Sequence, residues 1–92
     1  MSDILEVTVS GTVGKQAIAT TKKVILKSVI IAAITSGALV TIRDGNASGN
    51  TILNAGAIKY DSVSHPMHDF RCDKGLHVKV LGTGSKCYLV ID

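Results

Sequence analysis

A chain of 92 residues is long enough for one domain and short for two, and with 46% hydrophobic and 18% charged side chains it carries too much apolar material for wholesale disorder. Ten basic residues against seven acidic ones leave a net charge of +3, and the bases are scattered, so no stripe marks a nucleic-acid or membrane partner. Of the 92 residues, 28 are Val, Ile or Thr, whose branched Cβ favours pleated sheet over helix, while two cysteines are too few for a disulfide scaffold. Leu5, Val7 and Val9 alternate with Glu6, Thr8 and Ser10, the pattern of a half-buried strand. Ala17–Thr21 reads as a second short strand after the loosening glycines Gly11 and Gly14.

Val24–Ile34 is apolar on both faces of a strand, with Val24, Leu26, Ile30, Ala32 and Ile34 on one and Ile25, Val29, Ile31 and Ala33, with Lys27, on the other. A small all-β domain has little material to cover both, so one face is expected to meet a partner. The whole window Val24–Ile42 has the length of a membrane span, but Lys27 and Thr35-Ser36-Gly37 interrupt it, and two strands joined at Ser36-Gly37 account for it better. Ala38–Asp44 alternates, with Val40 and Ile42 inward. Asp44–Asn50 is rich in turn residues, and Thr51–Leu53 returns to close a hairpin. Ala57–Val63 is expected as a weaker strand, and Pro66 confines His65-Pro66-Met67 to a loop or an edge because it lacks a backbone donor. After a short Phe70–Cys72 segment, Leu76, Val78 and Val80 point inward, Gly82–Ser85 forms a tight hairpin turn, and Cys87, Leu89 and Ile91 face the core. Tyr88 and Val90 are left on an outer face more apolar than solvent requires.

Constellations for chemistry are weak. His65, His68 and Cys72 could in principle approach a zinc ion, yet their spacing matches no established finger, and no CxxC anchors it. Asp44–Gly49 has the oxygen donors of a calcium loop, but Ala55 stands where a bidentate Glu is needed. Gly11–Gln16 lacks the spacing and the Ser or Thr of a phosphate loop. No nucleophile, base and oxyanion set emerges, so the chain is read as not an enzyme, with no cofactor and no bound metal. Cys72 and Cys87 are expected as buried thiols, although their pairing stays open because they lie in separate strand-like segments. No secretory leader is recognised.

The run Lys23–Ile31, then Val40–Gly45, Gly49, Ile52-Leu53, Gly75–Val80 and the closing Cys87–Ile91 resemble the small β-sandwich virion accessory proteins of tailed bacteriophages, which decorate or cement heads or occupy head–tail positions. The likeness spans roughly Lys22 to Asp92 and rests on patterning rather than an invariant motif. It implies a non-catalytic structural protein of the virion, preferably a capsid decoration or cement protein. Such a protein would be made in the host cytoplasm and bind the major capsid protein, or other virion subunits, as a symmetric homo-oligomer without nucleic acid or membrane. A tail or head–tail accessory subunit is the alternative in the same class, and a small carbohydrate- or ligand-binding β-module the alternative in another.

The expected fold is all-β, a small antiparallel β-sandwich or jelly-roll-like barrel, in one domain over residues 1–92 with residues 1–21 as an N-terminal arm or edge strand. Ile25, Val29, Ile31, Tyr88 and Val90 are the expected interface residues. The ligand-binding alternative places a polar pocket near the Asp44–Asn50 or His65–Asp69 loops.

Overall fold

The computed structural model describes residues 3–9, 13–18, 22–46 and 48–92. Eight strands run in chain order: β1 (Asp3–Thr8), β2 (Val13–Ile18), β3 (Val24–Ala32), β4 (Ala38–Asp44), β5 (Thr51–Ala57), β6 (Ser62–Cys72), β7 (Leu76–Leu81) and β8 (Lys86–Ile91). They form two four-stranded antiparallel sheets, the first in the order β1-β8-β3-β6 and the second in the order β2-β7-β4-β5. Two Greek keys wound into facing sheets in this order make a jelly roll. The smallest molecular dimension, 19 Å, is that of two sheets packed face to face with their outer side chains.

The core lies between the sheets. Val7, Val24, Leu26, Val29, Ile31, Cys87 and Leu89 enter from the first sheet, and Ile18, Val40, Ile42, Leu76, Val78 and Val80 from the second, all nearly or fully buried. Period-2 alternation delivers these side chains to one face of each strand. In β4, β7 and β8 the alternation is the one read from the sequence.

Strand β3 departs from it. Leu26 pairs with Ile91 of β8 and Ser28 with the next residue, Val90, so Lys27 is an extra residue, a β-bulge. One inserted residue reverses the side-chain parity. Val24 and Leu26 therefore face inward before the bulge, and Val29, Ile31 and Ala33 after it. On β6 the segment 67–69 bows out opposite Lys27, His68 and Asp69 have left-handed φ values of 52° and 56°, and Lys27 Nζ lies 3.2 Å from Asp69 Oδ1.

Other expectations change in detail. Val24–Ile42 is two strands as expected, but β3 and β4 lie in opposite sheets. Ala57–Val63 is not a strand: β5 ends at Ala57, and the chain turns through Ile58–Asp61 before β6 begins, with Tyr60 at a left-handed φ of 65°. His65, Pro66 and Met67 belong to β6, whose place at the sheet edge accommodates Pro66. Gly82–Ser85 is a tight turn, with the Ser85 amide donating to the Gly82 carbonyl at 3.1 Å, but it carries the chain from one sheet to the other and does not close a hairpin. Gly82 sits at φ 115°, and a Cβ there would collide with the Gly37 carbonyl oxygen. Asp3–Thr8 and Val13–Ile18 are home strands at the edges of the two sheets, so neither is an arm. The Gly11 part of the N-terminal reading, and residues 19–21 of the second strand, lie outside the described residues.

Candidate functional site

The register decides which residues share the outer face of the first sheet. One row across it is Ile4, Val90, Ser28 and Pro66; the next is Glu6, Tyr88, Ile30 and Ser64; the third is Thr8, Lys86, Ala32 and Ser62. Ile4, Val90, Tyr88 and Ile30 are adjacent in two neighbouring rows and make one apolar patch, with Ala32 and Pro66 beside it. Ile4 is 70% exposed and Ile30 36%, whereas Tyr88 and Val90 are partly buried by their neighbours on the same face.

Of the five expected interface residues, Tyr88 and Val90 lie in this patch. Ile25 is on the same face but farther along β3, opposite Arg71, and partly buried. Val29 and Ile31 do not belong to it. The bulge at Lys27 turns both into the sandwich, where their exposure is 0%. Ile30 takes the outward position instead, and Ile4 joins it from the edge strand. The alternation of β1 signals Ile4's outward side; the parity change that exposes Ile30 has no signal beyond the lone Lys27 inside an apolar run.

The polar constellations separate. His65 turns inward from β6, its Nε2 buried without a hydrogen-bond partner, while His68 is exposed and Cys72 buried. No group of three metal-ligating side chains converges among the described residues. Both cysteines are free and buried. Burial pushes the Cys72 thiol up to about 11, with the negative charges of Asp44 and Asp73 adding to the effect, and burial alone pushes Cys87 up to about 12. Both are therefore neutral thiols at physiological pH, the opposite of a nucleophile's requirement.

Asp44–Asn50 is the β4–β5 hairpin loop. The Asp44 amide donates to the Asn50 carbonyl at 2.9 Å, and the Ser48 amide donates to Asn46 Oδ1 at 2.8 Å, an Asx turn. Beside this loop a cavity of about 580 Å³ opens, lined by Ala17, Asp44, Gly45, Asn46, Asp73, Lys74 and His77. Among the described residues no Phe, Tyr or Trp lines it. Among the described residues no helix is long and apolar enough to cross a membrane.

No family model matches the sequence, and no curated protein matches it. Solved structures share the fold. Bacillus endospore appendages, described as a novel family of disulfide-linked pili, align at 15% identity over 99% of this chain and 83% of theirs, with a TM-score of 0.61. The Drosophila NLP core, described for pentamer formation and histone binding, aligns at 11% identity over 100% and 96%, with a TM-score of 0.60. PirA aligns at 14% identity over 96% and 90%, with a TM-score of 0.59. The two-sheet all-β architecture is therefore one that solved proteins adopt at near-full length. Identities this low show the fold alone.

Proposed function

We propose that this chain is a non-catalytic structural subunit that is completed by neighbouring copies across the outer face of its first sheet. The preferred setting is a capsid decoration or cement protein on a virion shell. The observation that carries the reading is the contiguous patch of Ile4, Val90, Tyr88 and Ile30 on the outer face of the first sheet. Apolar area removed from water returns about 25 cal/mol per Å² before association costs, and symmetry repeats a modest contact many times. Two structures of the same fold, the appendage pili and the NLP-core pentamer, are described as assemblies, which supports a fold suited to subunit packing. A tail or head–tail accessory subunit would use the same face.

A second reading, a small ligand-binding β-module, draws on the cavity beside the Asp44–Asn50 loop. Solution mass together with a glycan-binding screen separates the two. The assembly reading expects a discrete oligomer and no glycan hits. A monomer that binds one glycan tightly through the Asp44 loop would replace it.

A further inference from the structure

The bases that are scattered along the sequence are gathered by the fold. On the outer face of the second sheet, Lys15 of β2 stands directly opposite Lys79 of β7, and Lys79 stands directly opposite Thr41 of β4. The adjoining row places His77 between Ala17 and Arg43. Lys15, Thr41, Arg43, His77 and Lys79 together line a shallow cavity of about 240 Å³.

Among the described residues, no carboxylate forms an ion pair with Lys15, Arg43 or Lys79. Arg43 instead donates through Nη1 to the Gly49 carbonyl at 3.2 Å, which anchors the guanidinium and leaves its other donors free. Asp44 and Asp73 line the neighbouring cavity beside the hairpin loop, which shares His77 with this one, and do not line this one. Like charges directly opposite one another on a sheet destabilise it. Two lysines and an arginine on one small concavity, without a counter-charge, form an arrangement that an external anion relieves. The donors available are two ammonium groups and the remaining N–H groups of the guanidinium, suited to an oxyanion with several acceptor oxygens; the Thr41 hydroxyl already donates to Asn54 Oδ1 at 3.3 Å. No Phe, Tyr or Trp lines it among the described residues, so the imidazole of His77 is the one ring on which a base could stack.

We propose that Lys15, Lys79 and Arg43, with Thr41 and His77 at the margin, form a binding site for a phosphate-class oxyanion. The site is independent of the apolar face on the opposite side of the sandwich. Free phosphate and the phosphodiester backbone of a nucleic acid present the same chemistry, and the test distinguishes them.

The isotope-labelled full chain is titrated with sodium phosphate, with tripolyphosphate, with a short oligonucleotide, and with sodium chloride at matched ionic strength. Saturable amide shifts centred on Lys15, Thr41, His77 and Lys79 are expected with the phosphates. The Lys79→Thr variant should bind about tenfold more weakly and melt at a higher temperature than the parent, because a repulsive pair is gone. Tighter binding of the oligonucleotide than of tripolyphosphate would identify the polymer as the source, and the reverse order the small anion. Shifts reproduced by chloride, or unchanged binding in a folded Lys79→Thr protein, would overturn the proposal. Equal binding of a hexaglutamate peptide would overturn it in favour of an acidic protein surface.

Discussion

Ile30 and Ile31 are adjacent in the chain but differ in exposure, at 36% and 0%. A lysine at Ile31 would place an unpaired ammonium in the closed interior. Ile31→Lys is therefore expected to cost about 4 kcal/mol or more, enough to unfold a domain of this size, and a denaturant titration would show it. His65 presents a smaller problem of the same kind. Its buried Nε2 has no partner, and a buried polar group left unpaired costs about 1–3 kcal/mol. His65→Leu fills the same space without the orphaned nitrogen and should raise the unfolding midpoint by an amount corresponding to about 1 kcal/mol. The two thiols set a limit at high pH. Unfolding returns them from about 11 and about 12 to the ordinary value of 9.0. Below pH 9 both states keep the thiol protons and stability is independent of them; above it the unfolded chain loses protons that the folded chain retains. Stability should therefore fall as pH rises through 9 towards 11–12. The decline should be shallower in a Cys72→Ala, Cys87→Ala double variant followed by urea titration across the same range.

The elements are held in place by two irregularities. At the crossing between β7 and β8, Gly82 occupies φ 115° against the Gly37 carbonyl. Gly82→Ala adds both strain and a collision, and a loss of about 1–3 kcal/mol is expected from thermal or urea unfolding. At the bulge, Lys27 resets the parity of β3. Most of the strand content was legible from alternation, and β4, β7 and β8 have the inward residues that the pattern implies. The pairing of strands was not, because Gly82–Ser85 looks alike whether it closes a hairpin or joins two sheets. Nor was the bulge, since Val24–Ile34 is apolar on both sides of Lys27-Ser28 and so carries too little contrast for a change of face to be read. That is why Val29 and Ile31 appear adhesive in the sequence and are core in the fold. Tyr88 and Val90 were legible because they alternate with Cys87 and Leu89 in a strand without a bulge.

At the scale of the molecule, the sandwich has two outer faces of different chemistry. The first sheet presents Ile4, Val90, Tyr88 and Ile30, and the second presents Lys15, Lys79 and Arg43. Neither face is evident from composition, since each is gathered from three strands distant in sequence. The apolar face is the basis for reading the chain as an assembly subunit. Sedimentation of the parent protein beside Ile30→Lys tests that reading most directly. The expected result is an oligomer for the parent and a folded monomer, with unchanged circular dichroism and a similar unfolding midpoint, for the variant. A parent protein that remains monomeric at every concentration, or an Ile30→Lys protein that assembles equally well, would contradict it.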